Sequence, residues 1–201
     1  MNKLYENKID SWAGTLAQQR QGNQEDNKAI MAYALRVVIF NLIVTLTTFG
    51  IGALFGVFST TAVALIASGS LRIFTGGYHC ANPLTCLALT VGLFTLCGKV
   101  AVQASAVMDF SQIVIFLSIT MSLALLFIAK NAPVDIPNKP VKLERRPRLK
   151  KMGINVWILW VIILGILMTI SFNSYKEIIV AIGLGLANQT FSISGILKNQ
   201  R

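Results

Sequence analysis

The sequence predicts an all-α, polytopic integral membrane protein, with about six transmembrane helices preceded by an N-terminal amphipathic helix at the membrane interface. Three observations carry this reading. Of the 201 residues, 54% are hydrophobic and only 13% charged, where a water-soluble domain carries about a quarter charged residues. Mean hydropathy is +0.64. Several apolar runs reach the roughly 20 residues that a helix needs to cross the hydrocarbon core. They are continuous rather than alternating, which argues against strands.

Residues 1–27 form an amphipathic cytoplasmic or interfacial segment. It is polar, carries Glu6, Asp10, Glu25 and Asp26, and lacks the short apolar core and small-residue cleavage site of a secretory signal. Tyr5, Ile9, Trp12 and Leu16 step by four, three and four, which places them on one helical face. That face suits either the membrane interface or packing on the chain's own transmembrane helices. Residues 18–27 read as a polar linker.

Residues 28–201 are expected to form a single transmembrane domain. Ala29 to Leu71 is too long for one span and about right for two, with hairpin glycines at Gly50, Gly52 and Gly56. Spans are therefore placed near 29–49 and 54–72. A third covers 83–103 and a fourth 110–129. Residues 131–152, with four prolines and most of a run of bases, are expected to be a cytoplasmic loop. A fifth span covers 154–172. A sixth runs over 178–197, interrupted by Asn188 and Gln189. No internal repeat is evident.

Charge tests the count. The net charge is +10, from 18 Lys+Arg against 8 Asp+Glu, and eight of the bases lie between Lys130 and Lys151. Basic connections stay cytoplasmic. With both termini cytoplasmic, six spans put Arg72, the Lys130–Lys151 run, Lys198 and Arg201 on one side. The opposite connections, near 50–53, 104–109 and 173–177, hold the single base Lys176. Nucleic acid is not indicated, because no folded basic module surrounds the run. Three cysteines do not make a disulfide framework.

One stretch breaks the apolar pattern, RIFTGGYHCANPLTC at 72–86. It holds the only histidine, His79, and two of the three cysteines, Cys80 and Cys86. His79 and Cys86 are seven residues apart, about 10.5 Å of rise on an unbroken helix, so they can act together only if the chain folds back. Gly76-Gly77 permits a turn. Asn82-Pro83 reads as an N-cap with proline at the first helical position. Cys86 then falls in the first turn of span three, where the helix dipole and unpaired N–H groups favour a thiolate. A neighbouring imidazole would make a Cys–His nucleophile pair. The alternatives are an interfacial polar anchor for His79 and a small apolar filler for Cys86. Zinc is not expected: His79, Cys80 and Cys86 offer three ligands where a structural site wants four. No cofactor is implied.

Arg72, the Gly76-Gly77-Tyr78-His79 turn and Cys86 resemble the signature of the accessory gene regulator B family, in both the Arg-x6-His and the His-x6-Cys spacing. The length, the polar N-terminal helix and the basic loop with Pro137-Asn138-Lys139-Pro140 resemble that family too. The resemblance implies a membrane cysteine endopeptidase that processes a quorum-sensing autoinducer propeptide. His79 is then the base and Cys86 the nucleophile, and a thioester intermediate closes to a thiolactone or lactone. It implies a substrate with an acidic C-terminal segment, toward which Arg145, Arg146 and Arg148 are expected to turn the basic loop. Gly76, Gly77 and Arg72 are expected to shape the site, with snorkelling at the interface the other role for Arg72. Asp109 falls on the outer side and is set aside as a triad member, and Asn82 is better explained as a cap. Lys99, toward the outer part of span three, reads as an anchor or a cavity-facing charge. The expected location is the cell membrane with the active site at the cytoplasmic face. The expected partners are the propeptide and the lipid bilayer, with a homodimer the assembly to consider. A small transporter or exporter, and a non-catalytic scaffold, are the rival classes.

Overall fold

The structure, a computed structural model, describes residues 3–19, 21–77, 82–134 and 142–195, with side chains from Asn7 onward within them. These residues form α1 (Lys3–Ala17), α2 (Gln24–Leu54), α3 (Phe58–Thr75), α4 (Pro83–Val107), α5 (Phe110–Asn131) and α6 (Arg146–Ile193), with a 3-10 turn at Leu143–Arg145. Among the described residues there is no strand, and five helical segments, α2 to α6, are long and apolar enough to cross a bilayer. The protein is an all-α polytopic membrane protein.

The 48 residues of α6 would measure about 72 Å as a straight helix, more than twice a hydrocarbon core of about 30 Å. The helix is instead broken at Ser171, whose φ −156° and ψ 61° are non-helical. The chain reverses there. A Cβ on Gly153 would lie 3.2 Å from Thr75 Cγ2, and Gln189 Nε2 donates to Thr75 Oγ1 at 2.9 Å. Two positions 36 residues apart can meet one threonine only if the arms 146–170 and 172–193 run antiparallel. The expected fifth and sixth spans are thus the two arms of α6, and the chain makes six apolar passes. The reversal lies at Ser171 rather than within 173–177.

The chain divides into two compact units, one up to Thr47 and one from Thr48. In the first, Ile9 and Ala13 of α1 are buried with Ala32 of α2, and Met31, Leu35 and Ile39 pack around them. Asp10 pairs with Arg36 at 3.7 Å. Trp12 and Leu16 stay 55% and 41% exposed. The seam is therefore rotated from the expected Ile9–Trp12–Leu16 stripe toward Ala13, because a small side chain lets two helices approach closely. Ile9 packs on the chain's own helix, and Trp12 faces outward.

In the second unit α3 and α6 pack most extensively, with α4 and α5 against them. Small residues set the approach, as helices in lipid require. A Cβ on Gly185 would fall 2.9 Å from the Ala64 Cα, and one on Gly98 would fall 3.1 Å from the Thr61 backbone nitrogen. Indole N–H groups, which cannot be left unpaired in lipid, find partners: Trp157 Nε1 donates to Met121 O at 3.1 Å and Trp160 Nε1 to Ser70 Oγ at 3.0 Å.

The unit has two distinct ends. At one, the α2–α3 and α4–α5 junctions meet the Ser171 reversal, where Phe110 and Phe172 stack edge to face at 4.9 Å. At the other, α3 ends, α4 begins, α5 ends and both arms of α6 terminate. Lys150 Nζ donates to Ala129 O, and Asn131 Nδ2 donates to Ile193 O at 2.8 Å. This second end carries the basic run. Part of that run is not the loop expected over 131–152. From Arg146 onward it is the first two turns of α6, because Pro147 sits in the first turn, where no N–H is needed, and Arg and Lys are good helix formers.

Candidate active site

At the second end, α3 stops at Thr75. Gly76 caps it with φ 69° and ψ −156°, its N–H bonded to Arg72 O at 2.9 Å, a conformation open essentially to glycine alone. Arg72 lies half-buried in the last turn of α3, and Gly77 is buried. Tyr78, His79 and Cys80 lie outside the described residues. The chain resumes at Asn82, extended at φ −106° and ψ 128°, whose side chain accepts from Leu84 N at 2.9 Å. Pro83 opens α4. Cys86 is its fourth residue, half-buried, with its N–H bonded to Asn82 O at 3.1 Å. Thr90 Oγ1 donates to the Cys86 carbonyl at 2.7 Å. The break between helices and the Asn82 cap stand where the sequence placed them.

The Gly76-Gly77 turn is held from three sides. Val134 N donates to Thr75 O at 2.9 Å, and Val134 O lies 2.7 Å from where a Gly76 Cβ would stand. A Gly77 Cβ would meet Ser192 Oγ at 2.6 Å and Gln189 Nε2 at 3.5 Å. Gln189 Nε2 donates to Gly76 O at 2.7 Å as well as to Thr75 Oγ1, and the residue is fully buried. One helical position earlier, Asn188 Nδ2 reaches Ser68 Oγ at 3.4 Å. In the sequence, Asn188 and Gln189 read only as an interruption of the sixth span. The signal is local: two amides in an apolar pass are costly unless partnered, so they imply polar groups on a neighbouring helix.

The remaining candidates fall into place around this end. Arg145 and Arg148 are exposed, and Arg146 is half-buried at the start of α6. Cys97 lies eleven residues beyond Cys86, about 16.5 Å up the helix, packed against the main core. The far end explains two other residues. Asp109 caps α5 in a reciprocal capping box with Gln112, at 2.8 and 3.0 Å. Lys99 Nζ sits 4.4 Å from the Phe55 ring centroid, a cation–π contact at the bundle rim.

A thiol at the start of a helix, and a braced turn ahead of the only histidine, provide an arrangement able to support nucleophilic chemistry at one end of the bundle. Comparison with known proteins identifies relatives of the whole chain. The sequence model of the accessory gene regulator B family matches residues 9–193. An AgrB-like protein of Clostridium perfringens strain SM101 is 30% identical over 179 residues, 85% of this chain and 83% of that protein. A second AgrB-like protein, from strain 13, is 27% identical with the same coverage. The accessory gene regulator protein B of Staphylococcus carnosus is 27% identical over 174 residues, 86% of this chain and 83% of that protein. No solved structure is significantly similar to the chain.

Proposed function

Because the chain belongs to the accessory gene regulator B family, and so to autoinducer processing, we propose that it is a membrane-embedded cysteine endopeptidase that cleaves and cyclises an autoinducer propeptide. The observation that carries this reading is the position of Cys86. It stands in the first turn of α4, after a rigid Asn-Pro cap, at the bundle end that also holds the Gly-Gly turn and the basic start of α6.

In this reading His79 takes the Cys86 proton, and the thiolate attacks a propeptide carbonyl carbon. A tetrahedral intermediate forms. The C–N bond then breaks as the imidazolium protonates the departing amine. The C-terminal fragment leaves, and the N-terminal part stays on Cys86 as a thioester. A thiol or hydroxyl within that part attacks the thioester, closes the ring and returns the Cys86 thiol. Exchange of one thioester for another is nearly balanced in energy, so positioning and exclusion of water do most of the remaining work. The active end faces the cytoplasm in this reading, because the bases of α6 and Arg72 share it.

The intermediate gives the direct test. A tagged propeptide mixed with the protein and quenched in acid should leave a covalent adduct that neutral hydroxylamine removes. Peptide mass mapping should place the adduct on Cys86. An adduct on another residue, or cleavage with no adduct at any quench time, would overturn the mechanism.

The basic start of α6 makes a second prediction. Opposite charge at a low-dielectric boundary concentrates and orients an acidic segment. Replacing Arg145, Arg146 and Arg148 with Gln leaves Lys139, Lys142, Lys150 and Lys151 to hold the topology. The KM should rise about three- to tenfold at low ionic strength, and wild-type KM should rise with salt as screening grows. A triple variant with unchanged KM at low salt reduces these arginines to a topology signal.

A further inference from the structure

The fully buried Gln189 has no role in the reading above, yet it makes the most specific polar contact in the second unit. Its amide nitrogen spans two acceptors on the last residues before the His79 segment, Thr75 Oγ1 at 2.9 Å and Gly76 O at 2.7 Å. The amide orientation is fixed by chemistry, since a carbonyl can only accept and the group facing Gly76 O must donate. The Oε1 atom is buried with no hydrogen-bond partner among the described residues, so the contact is kept although burying an amide carries a cost. Pure packing would not choose such a residue. An apolar side chain of similar volume would fill the same space without that penalty.

We propose that Gln189 is a positioning residue for the reaction. By tying the second arm of α6 to the Gly76 carbonyl, it fixes the direction in which the chain leaves α3 toward His79, and so governs turnover rather than substrate affinity. The inference rests on the Cys86–His79 reading. Gly76 has no side chain to restrict it, and φ 69° with ψ −156° is one of several conformations a glycine reaches freely. Something outside the turn must select it. Val134 N bonds the Thr75 carbonyl, but among the described residues only Gln189 donates to the Gly76 carbonyl from another helix. A misplacement of about 1 Å at a catalytic group can cost about a hundredfold in rate.

Gln189→Leu removes the donors and the unpaired acceptor together. The single Thr75 hydroxyl proton can then go either to Leu71 O at 3.0 Å or to Gly76 O at 3.3 Å, so a donor remains within reach of the Gly76 carbonyl but no longer ties it to another helix. The expected result is a kcat lowered about ten- to hundredfold with KM within about twofold of wild type. Coupling to the base separates positioning from bulk stability. In a chain whose only thiol is Cys86, with Cys80 and Cys97 changed to Ala, the rate of iodoacetamide labelling is measured for wild type, Gln189→Leu, His79→Ala and the double variant. If Gln189 acts through His79, the double variant labels no more slowly than His79→Ala. Should Gln189→Leu fail to reach the membrane, Gln189→Met, unbranched and of similar length, takes its place in the cycle. Additive effects on labelling, or an unchanged kcat in either variant, would overturn the role of Gln189 while leaving the Cys–His pair intact. Wild-type labelling and cleavage in His79→Ala would overturn the pair itself, and this inference with it.

Discussion

Cys86→Ala is expected to abolish propeptide cleavage, while Cys97→Ala retains most of it. Both thiols lie on α4, and both are half-buried, so accessibility alone does not separate them. Position does. Cys86 follows the Asn82 cap by four residues at the active end of the bundle, and Cys97 packs against the main core in the middle of the same helix. Loss of a covalent nucleophile removes the only route to the thioester, so the drop should be on the order of 10⁴-fold or more. Loss of the Cys97 sulfur trims a small apolar group and acts on stability alone. His79→Ala should match the Cys86 variant in activity while still inserting, because one polar side chain contributes little to six apolar passes. The readout is the gel shift of a tagged propeptide, normalised to protein in the membrane fraction. Cleavage that persists in Cys86→Ala sinks the endopeptidase mechanism, and cleavage that persists in an inserted His79→Ala sinks its base.

The largest effect on folding is expected at Gly185. A Cβ there would stand against the Ala64 carbonyl oxygen, and 2.9 Å from both the Ala64 Cα and carbonyl carbon. These are backbone atoms of α3, so no rotamer change relieves the overlap. The second arm of α6 and α3 must move apart, opening their close backbone approach and stretching the Gln189 bonds to Thr75 and Gly76 one turn further on. Overpacking of this kind costs about 1–3 kcal/mol, and more where backbone must shift. Gly165→Ala is the matched control, since nothing lies within 4 Å of that site and removing a mid-helix glycine stabilises by about 0.5–1 kcal/mol. Thermal unfolding in detergent, followed by size-exclusion fluorescence, should show Gly185→Ala melting well below wild type and Gly165→Ala at or above it. Equal melting of the two alanine variants would mean that the α3–α6 contact is not set by this glycine.

Much of the molecule was legible before any coordinates. The apolar passes, the Asn82-Pro83 start of α4, the stop at Gly76 and the gathering of bases at one end all stand in the sequence. They rest on short-range causes: burial of apolar side chains in lipid, the missing proline N–H, the conformational freedom of glycine, and the cost of moving charge across a membrane. The relevant residues are neighbours in the chain, so the pattern can be read in a window of about 20 residues.

Other features were decided only by the tertiary structure. The stripe on α1 was read from its largest apolar residues, but Ala13 forms the seam with Ile9 and leaves Trp12 exposed, because closeness of approach depends on the partner helix. The α5–α6 connection is a further case: the residues from Arg146 have a local capacity for helix, but the Lys150–Ala129 O contact that sets this start against α5 joins residues 21 apart. Gln189 is the clearest case. Its partners are 113 and 114 residues away in sequence; the LANQT stretch signals that a polar partner is needed, not which one. By itself the sequence determined which segments are apolar enough to cross the membrane and where α4 and α5 begin, since these follow from apolar length and local capping. The pairing of one buried amide with one glycine carbonyl was left to the tertiary structure, because only the reversal at Ser171 brings the last pass back against α3.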